Sequence, residues 1–376
     1  MLEKKREDKI GLILSGGGAR AAYQVGVLGA IAEFLPKDSS NPFHIISGTS
    51  AGALNAASLA CHAHRIRTGV RLLEYVWKNI SSDQIYTIQS GNFLSRASLM
   101  VLSSMTGKSP DAPRSLLDNT PLVNLLSRVL KLEKIQRNID RGLLDALSIT
   151  ASAYTTGESV SFYQAVKGIK DWEGPHRIGR RCSIEFVHLL GSTALPILFP
   201  AVQIGNHFYG DGAVRQLAPT STPIHLGAKR LLAIGVSGNR IQAPLEGKMT
   251  EPPTLSQILG HILNSAFVDT LENDLEFLRH MNDTLSRLPN KIKTHSGFEA
   301  QQIDLLEISP SKELNLLAME YYDELPKQMA KYIKPESSGT LLSLVLFEKG
   351  FCTALWKLGY EDALEKETEI RQFFSQ

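Results

Sequence analysis

The chain has 376 residues and a mass of 41.4 kDa, enough for one large domain or two ordinary ones. Hydrophobic residues are 43% and charged residues 21% of the chain, which excludes a disordered, collagen-like or coiled-coil protein. Lys plus Arg is 40 and Asp plus Glu is 38, a net charge of +2 that gives no basis for affinity to nucleic acid.

Mean hydropathy is −0.08, and no apolar run reaches the roughly 18 residues that a membrane-spanning helix needs. The cysteines Cys61, Cys182 and Cys352 are far apart, odd in number and without a CxxC pair, which argues against a zinc ribbon or a disulfide framework. The N-terminus MLEKKREDKIGLIL mixes acidic and basic residues, and its apolar stretch is too short for a signal-peptide core. The expected compartment is the reducing cytoplasm.

In chain order, Lys9 to Leu14 reads as a short apolar strand, Ser15 to Arg20 (SGGGAR) as a glycine turn, and Ala21 to Leu35 as a helix with apolar residues at helical spacing. Phe43 to Ile46 reads as a second strand, and Ser47 to Ala53 (SGTSAGA) as a sharp turn into a helix running to about Arg65. Strand–helix–strand units of this length predict an α/β fold with a mostly parallel sheet flanked by helices. Residues 81–118 are serine-rich without periodicity and read as a surface insertion or lid.

Beyond it the pattern predicts a helix near Pro121 to Leu132, strands at Ala146–Tyr154 and Val160–Gln164, and a helix over Cys182–Leu190. A strand pair over Phe199–Tyr209 and a buried strand at Arg230–Val236 follow. Thr254 to His280 carries an apolar stripe from Leu255 to Leu278 that predicts an amphipathic helix packed on the core. Leu341 to Trp356 reads as a core helix broken near Gly350. The catalytic core is placed at 1–237 and a mainly helical extension packed on it at 238–376.

Three motifs carry chemistry. Gly48-Thr49-Ser50-Ala51-Gly52 is a GxSxG pattern between a strand and a helix, the context of a nucleophile elbow. Ser50 would sit on a strained turn, the glycines Gly48 and Gly52 would let neighbouring elements approach, and the Ala51 amide at the helix N-terminus could stabilise an oxyanion. Ser15-Gly16-Gly17-Gly18-Ala19-Arg20 exposes several amides to one point, an anion-binding concavity. It serves either as an oxyanion hole beside Ser50 or as a phosphate cradle, since Gly16-x-Gly18-x-x-Ala21 matches a dinucleotide fingerprint. The fingerprint also wants an acidic residue ending the second strand, where this chain has Ser47-Gly48. Gly210-Asp211-Gly212-Ala213 reads as a DG turn or as a carboxylate held close to another backbone. Of ten histidines, His207 is the best placed for a triad; His62 and His64 are two apart on a helix and do not share a face. No metal-binding spacing occurs.

GGGAR after a strand, GTSAG about 30 residues later and DGA beyond resemble the patatin-like phospholipase family. Ser192-Thr193-Ala194-Leu195-Pro196, Leu198-Phe199-Pro200 and the strand RLLAIGV are similar to that family's segments around its DG[GA] motif. The resemblance covers about Lys9 to Ser237. The remainder, including Leu358-Gly359-Tyr360-Glu361-Asp362-Ala363, is more loosely similar to the tails of bacterial cytoplasmic members. The resemblance implies a three-layer α/β/α fold and a Ser–Asp dyad without histidine. Ser50 would be the nucleophile and Asp211 the base, with Gly16, Gly17 and Gly18 as the oxyanion hole.

Arg20 matches the basic residue ending the glycine motif, and either positions the loop or contacts an anionic head group. Ala21 stands where many members have glycine, and Ala213 takes the alternative third position after Asp211-Gly212. The implied activity is phospholipase A or lysophospholipase, with no cofactor and no metal, a lipid or acyl-ester substrate, and peripheral membrane contact. The sequence does not indicate an oligomeric state. Competing classes are a nucleotide-binding oxidoreductase using the glycine turn and a lipid-binding protein without catalysis.

Overall fold

A computed structural model describes residues 8–88, 115–238, 270–288, 302–331 and 339–375, with isolated positions between 252 and 266 and Ile333. At its centre lies a parallel sheet in the order β12-β11-β1-β2-β5, made by β1 (Ile10–Leu14), β2 (Ile45–Thr49), β5 (Ala146–Ala153), β11 (Arg230–Ile234) and β12 (Asp304–Ile308). Beyond β5 the sheet becomes mixed. β6 (Ser159–Ala165) forms an antiparallel hairpin with β5, and β8 (Arg177–Arg181) and β7 (Trp172–Gly174) extend that edge. A separate two-residue ladder joins β3 (Thr87–Ile88) and β4 (Leu117–Asp118).

Both faces of the central strands are buried, as parallel strands require. Alternate residues enter different clusters: Leu12, Leu14, Leu232 and Ile234 face the larger core, while Ile13, Leu231 and Ala233 face a smaller one. The larger core is covered by α1 (Ala22–Phe34), α2 (Ala51–Cys61), α3 (Ile66–Lys78) and, from the C-terminal region, α10 (Lys349–Glu365). The smaller is covered by α7 (Thr270–Arg287) through Leu271 and Leu275. The result is the three-layer α/β/α arrangement. Because β12 extends the same sheet, residues beyond 238 belong to its framework. The Leu358–Ala363 segment lies on α10, where buried Asp362 accepts hydrogen bonds from Tyr23 on α1 (2.9 Å) and from the Ser311 amide (2.9 Å).

Several elements differ from the sequence expectation. β2 extends through Ser47, Gly48 and Thr49, because strands pair along both of its edges and the Ser47 hydroxyl accepts from Ser148 (2.8 Å). The segment expected to continue α2 to Arg65 instead closes at Cys61, and α3 follows. Arg177–Arg181 is strand, so the helix expected from Cys182 starts at Phe186 as α6 (Phe186–Ser192). The expected pair over Phe199–Tyr209 is β9 (Val202–Ile204) with β10 (His207–Asp211). Of the amphipathic helix expected over Thr254–His280, the described part is α7, which runs on to Arg287 with Leu271 and Leu275 buried; most of 254–269 lies outside the described residues, and Ile258 and Ile262 within it are 43% and 58% exposed. The break expected near Gly350 falls between α9 (Gly339–Val345) and α10.

Of the expected insertion at 81–118, residues 89–114 lie outside the described residues. Its described ends are core rather than surface, with Ile85, Tyr86, Leu116 and Leu117 buried. Among the described residues, no helix is long and apolar enough to cross a membrane.

Candidate active site

Strand β5 acts as the ruler that assembles the site. Along one edge it pairs first with β2, ending at Thr49 opposite Thr150. Where β2 leaves the sheet at Ser50, β10 takes over that edge antiparallel, with Asp211 opposite Ala151. Consecutive positions of one strand therefore bring together two residues 161 apart in sequence, and Ser50 Oγ donates to Asp211 Oδ2 at 2.5 Å.

The turn at Ser50 is strained. Its φ of 53° and ψ of −129° lie where non-glycine residues cost on the order of 1–3 kcal/mol. The flanking glycines make the turn possible. A Cβ on Gly48 would stand 2.6 Å from Gly52 O, and one on Gly52 would stand 2.3 Å from Leu14 O, so α2 could not fold back over β1 and β2 with larger residues there.

One short segment at the C-terminal end of α6 fixes both members of the pair. Ser192 Oγ accepts from the Ser50 amide (2.9 Å) and donates to Thr150 O (2.6 Å). The Asp211 amide donates to Ala194 O (2.8 Å). Asp211 Oδ1 accepts from the Ala213 amide (3.0 Å), and Gly212 is needed because a Cβ there would meet Thr150 O at 2.1 Å. Gln216 bridges the strand ends, accepting from Thr49 Oγ1 (2.6 Å) and donating to Thr150 Oγ1 (3.2 Å). The roles of Ser192, Gln216 and Thr49 are not signalled by the motifs, although Ser192 lies within the stretch that resembles the family.

Asp211 is 1% exposed. Burial pushes its carboxyl up from 3.8 to about 7, against the hydrogen bonds from Ser50 and the Ala213 amide, which pull it down. A base poised near neutral pH suits proton transfer. No histidine among the described residues bonds to either member. His207 lies four residues before Asp211 on the same strand, roughly 13 Å away at 3.3 Å per residue, so it does not complete a triad.

The Ser50 amide is occupied by Ser192, which leaves the Ala51 amide, unpaired within its helix as first-turn amides are, on the pocket side of the nucleophile. Of the three glycines, Gly18 lines the pocket with Ser50 and Ala51, whereas Gly16 and Gly17 do not. Gly18 has φ 54°, and a Cβ there would stand 2.0 Å from Leu344 O, so α9 packs directly on the loop.

Arg20 does not reach the site. It is 1% exposed, and its guanidinium donates to Ser343 Oγ (2.9 Å), Val236 O (3.5 Å) and Asn315 Oδ1 (2.6 Å) on α8 (Leu314–Glu320). Burial lowers it to about 10 despite Glu313 nearby. Of the two expected roles, the side chain is committed to positioning the loop.

From the Ser–Asp pair a pocket, part of it open to solvent, runs between α2, α3, α4 (Thr120–Val129) and the 344–347 segment. Its walls are almost wholly aliphatic and aromatic, Leu73, Trp77, Leu122, Leu126 and Phe347 among them. Among the described residues no cluster of His, Cys, Asp and Glu could hold a metal ion.

Several solved structures align with this chain at low identity. VipD from Legionella pneumophila aligns at 12% identity and TM-score 0.34, over 98% of this chain and 67% of that one. Human GIVD cytosolic phospholipase A2 aligns at 12% identity and TM-score 0.47, and its complex with methyl gamma-linolenyl fluorophosphonate at 14% and 0.46. All of this chain is covered in the human alignments, and it spans 61% and 60% of those chains. No curated protein matches the sequence. The family model of the patatin-like phospholipases matches residues 12–224, a span holding the glycine turn, the Ser50 elbow and Asp211, and the chain belongs to that family.

Proposed function

We propose that the protein is a serine acyl hydrolase that cleaves ester bonds of lipids, of the phospholipase A or lysophospholipase type, through a Ser50–Asp211 dyad. The observation that carries this reading is the 2.5 Å hydrogen bond from Ser50 Oγ to a buried carboxylate at one end of an apolar pocket.

Asp211 takes the Ser50 proton as Oγ attacks the ester carbonyl. Charge developing on the carbonyl oxygen is met by the amide of Ala51 and by the glycine loop where it lines the pocket, at Gly18; one such donor is worth roughly 10² to 10³ in rate. Collapse of the tetrahedral intermediate expels the alcohol, which receives the proton from Asp211 and leaves Ser50 acylated. Water then attacks the acyl-enzyme, with Asp211 again taking a proton and returning it to Ser50. The apolar walls hold the acyl chain, and a lipid substrate brings the protein to a membrane surface.

The test is intact-protein mass after exposure to a long-chain alkyl fluorophosphonate. Wild type should gain one adduct. Ser50→Ala should gain none, and Asp211→Asn should label more slowly by roughly 10² or more. A folded wild-type protein that stays unmodified even with lipid vesicles present would refute the reading.

A further inference from the structure

The pocket has one polar feature that the chemistry at Ser50 does not use. Helix α2 presents Ser50, Ala51, Leu54, Asn55 and Ser58 to the cavity, the i, i+4, i+8 spacing of one helix face. Away from the dyad, the polar lining groups are almost all occupied. Asn55 donates to Ala21 O and Gln24 Oε1 and accepts from Trp77 Nε1. Thr193 donates to Leu189 O. Ser58 is the exception: it is fully buried, and its Oγ has no hydrogen-bond partner among the described residues.

A buried hydroxyl without a partner costs about 1–3 kcal/mol, and an alanine there would keep the helix and avoid that cost. Its depth is set by the helix. Ser58 follows Ser50 by eight residues, roughly 12 Å at 1.5 Å per residue, the length of an extended chain of roughly nine or ten carbons. The apolar Val129 and Leu130 also line the pocket, and the turn after them is fixed next to the end of α2, where Cys61 Sγ meets Lys131 O (3.4 Å).

We infer that Ser58 is a specificity-determining residue that selects acyl chains bearing an oxygen, as hydroxyl or carbonyl, about nine or ten carbons from the scissile ester. This rests on the acyl-hydrolase reading. Among the polar lining groups away from the dyad, the Ser58 hydroxyl is the one without a partner to pair with such an oxygen, and a plain alkyl chain leaves it unpaired.

The test compares 4-nitrophenyl 10-hydroxydecanoate with 4-nitrophenyl decanoate as kcat/KM ratios for wild type, Ser58→Ala and Ser58→Thr. The expected result is a ratio of hydroxylated to plain ester that falls roughly tenfold in Ser58→Ala, the worth of one hydrogen bond. The fall should come from both sides, with slower turnover of the hydroxylated ester and faster turnover of the plain one. Ser58→Thr, which keeps the hydroxyl, should restore the preference. An unchanged ratio in a folded, fluorophosphonate-reactive Ser58→Ala protein would overturn the inference and leave the hydrolase standing. Absence of both turnover and labelling in wild type would overturn the two together.

Discussion

Asp211→Asn should make the protein more stable at neutral pH while disabling it. Raising a buried carboxyl from 3.8 to about 7 costs the ionised form about 4 kcal/mol, at roughly 1.4 kcal/mol per pKa unit. The folded protein holds this proton where the unfolded chain has released it. Between about pH 4 and pH 7 the native state thus binds more protons than the unfolded state, and stability falls as pH rises through that window. Below about pH 4 both states are protonated and the penalty vanishes. Above about pH 7 it is complete.

Asparagine carries no charge and escapes the penalty. It can still accept from the Ala213 amide through its carbonyl and donate to Ser50 through its amide. Urea unfolding of both proteins at intervals from about pH 4 to pH 8 is the assay. The variant's stability relative to wild type should climb across the series by up to about 4 kcal/mol, while its rate of serine labelling collapses. Wild-type kcat/KM should rise with pH through about 7 as Asp211 ionises. A stability difference that stays constant from acid to neutral pH would refute the claim that burial of this carboxylate makes it a base.

Ser192→Ala removes the acceptor of the Ser50 amide and a donor to Thr150 O; it should cost about 1–3 kcal/mol in thermal unfolding and slow labelling of Ser50. Gly212→Ala places a methyl 2.1 Å from Thr150 O; the backbone must shift, costing about 1–3 kcal/mol and separating Asp211 from Ser50, so activity should fall more than stability. Arg20→Met leaves Val236 O without its donor and Asn315 Oδ1 with only the Ser343 hydroxyl (3.1 Å), and should destabilise by about 3 kcal/mol, as read by urea unfolding. Arg20→Lys should not restore stability, because an ammonium cannot reproduce the guanidinium fork. A stable Arg20→Met variant that had lost only its preference for anionic lipids would place the side chain at the head group instead.

Much of the fold was legible because the central strands obey local rules. KIGLIL and RLLAI are short apolar runs, and strands buried on both faces must look that way. The GTSAG and DGA segments were legible for a similar reason: Gly52 and Gly212 stand where another backbone passes too close for a side chain. What the pattern hid depends on tertiary pairing. β2 reads as ending at Ile46 because Ser47 and Thr49 are polar, yet Ser148 and Gln216 take up their hydroxyls. The stripe over Thr254–His280 has helical spacing, but spacing says nothing about whether a partner face exists, and Ile258 and Ile262 are exposed. The α3 helix is amphipathic, with Ile66, Val70, Leu73 and Trp77 buried, so its periodicity was there to be read. That it forms a wall of the pocket depends on how it packs against α2 and α4, which no local pattern encodes. The same holds for Arg20, a charge whose partners lie 216 to 323 residues further on.

A serine hydrolase that relies on aspartate must solve a problem that histidine avoids. An exposed aspartate, near 3.9, is too weak a base to take a proton from a hydroxyl at useful rates. Burial raises its basicity, but a buried carboxylate without fixed partners would drift or stay protonated. Here burial and orientation come from the same backbone. Ala194 O holds the Asp211 amide, the Ala213 amide holds Oδ1, and the second oxygen is left for Ser50. Burial raises the carboxyl to about 7 against the pull of these bonds, near enough to neutral that a modest rise in pH ionises it. The apolar pocket serves both demands, since the walls suited to an acyl chain also keep water from the carboxylate and so maintain its basicity. Enlarging that pocket to admit water should therefore lower the Asp211 pKa toward 3.8 and slow acylation, even when every dyad atom stays in place.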